Sequence, residues 1–425
     1  MAESIGIVIF ALGIITSVCL HEAGHMATAK AFGMKVTRYF VGFGPTLWSF
    51  RRGETEYGVK AIPAGGFVKI VGMTPQDDDV EPADEPRAMW RFPVWKRTIV
   101  LSAGSLTHFL LGVVILWGLF AFAPLPDYDR ADSAAPVVDL VLPCVTVNWS
   151  IDPATGQPKE CVPGQDPSSA AAQAGLRQGD RITALDGVAV NTWKEMTERV
   201  RAAGGQTMTI TFERDGQSLT SPPVTLPLAQ RVKPGVDPNT PVGEITQADL
   251  ERVGQLGITE VVPRHTAGPI AAFGLATDQT GLMFSGTVTA LKQFPQKVPK
   301  LWAALTGSER DPETPISVVG ASRIGGELFK QGEWPTFLLL LAGLNFFVGV
   351  FNLLPLLPLD GGHIAISWFE KVRSALYRRL GRADPGRVDY YKLMPVTYAV
   401  ILLFGGFTLL TVAADIINPI TIFSR

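Results

Sequence analysis

The sequence predicts a polytopic α-helical membrane protein with four transmembrane helices, a cytoplasmic membrane-associated β-hairpin and an extracytoplasmic α+β domain. Three observations carry the prediction. Four apolar stretches each reach the roughly 20 residues that a bilayer crossing needs. Hydrophobic residues make up 47% of the 425-residue chain against 18% charged, a balance that suits membrane spans joined to a smaller soluble part. Lysine and arginine crowd into two short segments, between spans one and two and between spans three and four, which places both in the cytoplasm. Both termini and the long middle region then lie outside. Net charge is −2, so nothing in the composition points to nucleic acid.

The first span, 1–33, is apolar from Ile5 to Leu20 and then carries His21-Glu22-Ala23-Gly24-His25. Glu3 and the lack of Lys or Arg ahead of the apolar run argue for a retained helix over a cleaved leader. Histidines four residues apart lie on one face of a helix, so both imidazoles reach a single metal ion. A glutamate directly after the first is placed to take a proton from water at that metal. Three ionisable side chains near the end of a membrane-length helix are costly there and mark a candidate site.

The cytoplasmic loop 34–97 holds two Gly-punctuated, β-prone runs, Tyr39–Pro45 and Ala64–Ile70, with a mixed stretch between them that can turn. They predict a hairpin dipping towards the membrane beside the histidines. The acidic run Asp77-Asp78-Asp79 dilutes the positive charge of this loop, but acidic residues count little in setting orientation. The second span, 98–124, is ended by Pro124 and Pro126. Residues 231–334 are read as a Pro- and Gly-rich linker followed by an amphipathic helix from Ala267 to Leu305, whose Asp278 and Gln279 favour an interfacial position over a fifth span. The third span, 335–362, a cytoplasmic loop, 363–393, and the fourth span, 394–418, complete the chain.

Within 130–230, Ser168-Ser169-Ala170-Ala171-Ala172-Gln173-Ala174-Gly175-Leu176-Arg177-Gln178-Gly179-Asp180 leads into Leu185-Asp186-Gly187. This passage resembles the bacterial PDZ domain, reproducing its short helix, Gly-Asp turn and Asp-Gly hairpin in order. Such domains bind extended peptide by strand addition. Cys144 and Cys161 lie ahead of it and could pair outside the cytoplasm, although spacing fixes neither geometry nor pairing. Cys19, in the first span, reads as a small buried hydrophobe.

The third span holds Asn345, Asn352-Leu353-Leu354-Pro355 and Pro358-Leu359-Asp360-Gly361-Gly362-His363. Two prolines and two glycines break a helix at membrane depth, which is tolerated only inside protein or at a wet cavity. A carboxylate there needs a partner charge, which a zinc ion on His21 and His25 would supply. The alternative is that Asp360 only caps the helix that follows.

The HEAGH motif, the PDZ-like insert and the Asn…Pro…Leu-Asp-Gly-Gly stretch, in this order over nearly the whole chain, resemble the site-2 protease family of intramembrane zinc metalloproteases, in its bacterial four-span branch. The resemblance implies one Zn2+ per chain held by His21, His25 and Asp360, with Glu22 as general base. It implies hydrolysis of peptide bonds within or near the transmembrane segments of single-span proteins such as anti-sigma factors, after a first extracytoplasmic cut. It also implies residence in the bacterial cell membrane, with the lipid bilayer as the other partner. Asn352 matches the family asparagine that holds the substrate backbone, whereas the spacing of Asn345 from it departs from the family pair. A substrate helix must unwind to be cut, and the strand edges around Phe43, Gly44, Gly66 and Phe67 are candidates to hold it extended. In the second span, Gly104-Ser105-Leu106-Thr107-His108 departs twice from the family's Gly-Pro-x-x-Asn, so His108 is either a polar contact near the site or a buried structural histidine. A different class remains open on sequence: a non-catalytic membrane adaptor or transporter using the PDZ-like part to recruit partners.

Overall fold

The computed structural model describes residues 1–73, 80–151, 158–236, 240, 242, 245–308, 310–311 and 314–422. The acidic run 77–79 lies outside them. The chain forms two units, Met1–Ala123 with Ala267–Arg425, and Pro124–Thr266.

The first unit opens with α1 (Ala2–Ala31), β1 (Val36–Arg52), β2 (Thr55–Ile70) and α2 (Val94–Phe122). Along α1 the buried residues are Gly6, Phe10, Ser17, His21, His25 and Ala29, one stripe at helical spacing, while Ile5, Val8, Ile9, Leu12 and Leu20 are exposed. Polar residues inside and large apolar residues outside is the arrangement of a helix whose surroundings are apolar. β1 and β2 form the hairpin, turning at Gly53-Glu54, and its register doubles back. Arg38 to Val41 pair with Gly66 to Lys69 on one side and with Glu56 to Val59 on the other, and Glu56 to Val59 pair again with Trp48 to Arg51. The long hairpin is thereby folded into a compact sheet whose 66–70 segment forms an outer edge. Ala29, Met34, Val36, Ile70, Met89, Val100 and Leu101 make one apolar cluster that fixes the hairpin to the ends of α1 and α2.

The second unit contains β3 (Leu125–Pro126), α3 (Tyr128–Ser133), β4 (Val138–Val141), α4 (Ala170–Gln173), β5 (Arg181–Leu185), β6 (Val188–Ala189) and α5 (Trp193–Ala202). It continues with β7 (Thr207–Met208), β8 (Ile210–Arg214), β9 (Gln217–Thr220), β10 (Val224–Thr225), β11 (Leu228–Val232), β12 (Leu250–Gly254), β13 (Ile258–Glu260) and β14 (Arg264–His265). Its largest sheet has the order β6-β5-β8-β9. Ile182, Ile210 and Phe212 from that sheet bury against Ala170 and Ala171 of α4 and Met196 and Val200 of α5. β8 and β9 turn on Asp215-Gly216, both with positive φ, as the favoured two-residue hairpin demands. Asp180, 1% exposed, accepts from the Arg177 backbone N–H at 2.7 Å and from Arg214 at 2.7 and 2.8 Å, locking the turn before β5 to the end of β8. Cys144 and Cys161 are joined by a disulfide.

The first unit resumes with α6 (Gly268–Leu305), α7 (Val318–Lys330), α8 (Trp334–Asn352), α9 (Asp360–Arg379) and α10 (Met394–Ile417). Among the described residues four helical segments are long and apolar enough to cross a membrane: Ala2–Ala31, Val94–Phe122, Trp334–Asn352 and Tyr390–Ile417. The chain is a polytopic integral membrane protein.

Two boundaries differ from the sequence expectation. The span expected over 335–362 stops as a helix at Asn352, because Pro355 and Pro358 withhold N–H donors and disfavour helix in the residues before them. A separate helix then starts at Asp360 and runs for 20 residues, so much of the segment read as a loop over 363–393 is helical. The amphipathic helix expected over 267–305 is α6, which is not among those four segments; its Phe284 meets Phe109 of α2 at 4.8 Å and Phe346 of α8 at 5.6 Å, and its Phe294 meets Phe407 of α10 at 4.3 Å.

Candidate metal centre and its neighbours

His21 and His25 follow each other by one helical turn on the buried stripe of α1, 6% and 5% exposed. Their Nε2 atoms are 3.0 Å apart, and each lies 3.3 Å from Oδ2 of Asp360. His25 is oriented by α2, its Nδ1 donating to the Val100 carbonyl at 2.7 Å, which turns Nε2 towards Asp360. Nδ1 of His21 is buried without a partner among the described residues.

Asp360 arrives from the far end of the chain. Its position depends on the two glycines after it, which press the first turn of α9 against the preceding loop. A Cβ on Gly361 would lie 2.2 Å from the Leu353 carbonyl oxygen, and one on Gly362 would lie 2.6 Å from the Leu356 carbonyl carbon. Any side chain at either position would push α9, and Asp360 with it, away from α1.

The three donors are hard to accommodate without a cation. Two imidazole nitrogens and a carboxylate oxygen lie within 4.8 Å of one another, largely shielded from water, and their lone pairs repel unless positive charge sits between them. On a further side α2 packs a glycine against the rings. Gly104 of α2 faces the imidazoles, and a Cβ there would fall 2.5 Å from His21 Cε1, 2.5 Å from His25 Nε2 and 2.6 Å from His21 Nε2. The donor set of two histidines and one carboxylate fits zinc in a catalytic site, where three protein ligands leave the fourth position to water.

Glu22 leaves α1 beside the donors and faces the hairpin. A Cβ on Gly66 would sit 3.4 Å from Glu22 Cγ, and the Val68 backbone N–H is within hydrogen-bonding reach of its carboxylate. Gly66 and Phe67 therefore pass over the glutamate. Phe43 is 45% exposed and stacks on Phe67 at 6.2 Å, while Gly44 is exposed farther along β1. Asn352 ends α8, half-buried. Asn345 is 2% exposed with its amide already engaged: Oδ1 is 2.8 Å from His108 Nδ1, and Nδ2 donates to the Leu341 carbonyl at 2.8 Å. His108 in turn places its ring 5.0 Å from that of His21. It is a structural histidine and also a neighbour of the site. The sequence assigns Gly104 no role of its own; the sign was its match to the glycine of the family's Gly-Pro-x-x-Asn, the motif that Ser105 and His108 depart from.

The sequence profile of peptidase family M50 matches residues 9–383. The chain belongs to this family. It is similar to the zinc metalloprotease Rip1 of Mycolicibacterium smegmatis, 43% identical over 433 positions that cover the whole of both chains. Rip1 of Mycobacterium tuberculosis is 42% identical over 418 positions, 98% of each chain. A putative zinc metalloprotease of Neisseria meningitidis is 27% identical over 437 positions, covering 86% of this chain and 90% of the other. The M50 peptidases are the site-2 type, so this protein is an intramembrane zinc metalloendopeptidase.

Proposed function

We propose that His21, His25 and Asp360 hold a single zinc ion and that Glu22 is the general base for cleavage of single-span membrane proteins, of the anti-sigma-factor kind. The convergence of residues 335 or more positions apart on one point, at 3.3 Å, is the observation that carries this reading. When bound, zinc supplies a Lewis acid that acidifies water and polarises the scissile carbonyl. Glu22 takes the proton from the attacking water and delivers it to the leaving amine. Val68 N–H lies near enough to Glu22 to favour its carboxylate form, and the Val100 carbonyl fixes the His25 ring.

A transmembrane helix satisfies its own carbonyls, so it must be extended before it can be cut. The edge of β2 at 66–70, which carries no further strand among the described residues, offers backbone groups to an extended segment directly beside Glu22. Asn352 adds a side-chain amide at the end of α8. The second unit, with its helix-bearing four-stranded sheet, serves as a PDZ domain outside the cytoplasm, a placement consistent with its disulfide. Cytoplasmic placement of the hairpin and of α9 follows the lysine and arginine distribution.

The test is zinc content beside cleavage of a single-span reporter in the purified full-length protein. Wild type should hold about one zinc per chain, Asp360→Ala should lose most of it, and Glu22→Gln should keep it while losing cleavage. Zinc retention by Asp360→Ala equal to wild type would overturn the ligand set. Undiminished cleavage by Glu22→Gln would favour a different base.

A further inference from the structure

α9 presents three faces. One is turned into the protein, where Ser367 is buried and Glu370 accepts from the Val388 backbone N–H at 2.8 Å and lies 3.6 Å from Arg97. A second consists of Trp368, Phe369, Val372, Leu376 and Leu380, between 41% and 63% exposed. At 3.6 residues per turn these five fall in one stripe about 120° wide. The third comprises cations at its borders: Lys371 and Arg378 on one side, Arg373 on the other, with Arg379 rising within the stripe. Lys371 Nζ lies 4.8 Å over the Trp368 ring, and the Arg373 guanidinium lies 5.4 Å over Phe369. Lys371, Arg378 and Arg379 pair with no carboxylate among the described residues.

The stripe continues onto a membrane span. Trp368 Nε1 donates to Thr98 Oγ1 of α2 at 3.0 Å, and the first turns of α2 expose Trp95 and Ile99 beside it. Lys96 there lies 5.5 Å over the Trp95 ring. An apolar stripe joined to the end of a span and bordered by tryptophan and unpaired cations has the chemistry of the headgroup level of an anionic leaflet. A second copy fits poorly, because two such stripes would bring like charges together.

We propose that α9 is a binding site for anionic phospholipid headgroups, with its apolar stripe seated at the bilayer surface and Lys371, Arg378 and Arg379 on the phosphates. A consequence follows from chain order. Asp360 is the first residue of α9, so lipid held along the helix also holds that carboxylate against the histidines. This coupling rests on the reading of Asp360 as a zinc ligand; the lipid site does not.

The experiment places the full-length protein in nanodiscs of phosphatidylcholine, with or without phosphatidylglycerol, and follows amide hydrogen exchange over 363–380. Phosphatidylglycerol should slow exchange about tenfold, and about 1 M salt, where the Debye length is about 3 Å, should remove the effect. The triple variant Lys371→Gln, Arg378→Gln, Arg379→Gln should exchange in phosphatidylglycerol as wild type does in phosphatidylcholine, while exchange across Pro124–Thr266 stays unchanged as a check on folding. Equal exchange in both lipids, or a triple variant that still responds, overturns the site. So does slowing reproduced by inorganic phosphate, or protection that rises with protein concentration in lipid-free detergent. Zinc loss to a chelator, measured on the same samples, should be slower in phosphatidylglycerol for wild type only; if exchange responds and zinc loss does not, the coupling is wrong and the lipid site stands. Asp360→Ala should lose zinc yet keep the lipid response, so failure of the ligand reading shows separately.

Discussion

Gly104→Ala separates the metal centre from the helix that faces it. Alanine is the better helix former by about 1 kcal/mol, so on propensity alone the change should stabilise α2. The structure predicts the opposite for the site. The new Cβ would lie 2.5 Å from both imidazoles, against roughly 3.4 Å for ordinary contact, and the rings would have to give by about 0.9 Å. Metal–ligand distances tolerate only about 0.2 Å, and misplacement of about 1 Å in a catalytic group costs on the order of 100-fold in rate. Zinc retention against a graded chelator series should therefore fall at least about tenfold, and cleavage at least about 100-fold. Gly118→Ala is the control: it lies in the same helix with nothing within 4 Å of a Cβ, and should leave both unchanged. Gly104→Ala with wild-type zinc retention and wild-type cleavage would refute the claim that the two imidazoles need the space a glycine leaves on α2.

The other predictions test separate parts of the molecule. Asn345→Ala should free His108 from its hydrogen bond and lower zinc retention about tenfold, read by the same chelator series, because the histidine packs beside His21. Arg310 and Asp415 form a buried ion pair at 2.6 Å that joins the segment after α6 to α10; Asp415→Leu should cost about 3–5 kcal/mol by stranding the guanidinium, and Arg310→Met with Asp415→Leu should recover much of it in detergent thermal unfolding. In the second unit, burial alone would raise the Asp180 carboxyl, but the Arg214 guanidinium and the Arg177 N–H hold it below the ordinary carboxylate range. A folded-state value below the unfolded one stabilises above about pH 4, and that contribution is lost as pH falls through the lowered value. Unfolding of wild type should thus steepen in acid, followed by exchange over Pro124–Thr266, and Arg214→Met should flatten that dependence.

Much of this protein was written in local sequence. Four spans are legible because a bilayer demands length and apolarity, and both can be counted along the chain. Two histidines a helical turn apart share a face wherever the helix packs, and glycines flanking β-prone residues announce the hairpin. Asp215-Gly216 could specify its turn for the same reason: the constraint lies within a few residues.

Other features depended on neighbours far away in the chain. Asp360 is marked as a third donor by the broken span and the family resemblance, but how it is brought to the histidines is not: only packing shows α9 beginning where the loop after Asn352 ends, with Gly361 and Gly362 set against that loop. The doubled register of β1 and β2 could not be read from alternation, since Arg38 to Val41 serve two sets of partners. His108 and Asn345 are 237 positions apart, and neither names the other. Gly104 matches a motif glycine in the sequence, but why a glycine is needed there shows only when the space it leaves is seen to hold two imidazoles. Sequence fixes what a residue can do through its own helix or turn; close approach between distant segments, where a single Cβ decides, exists only in the folded chain.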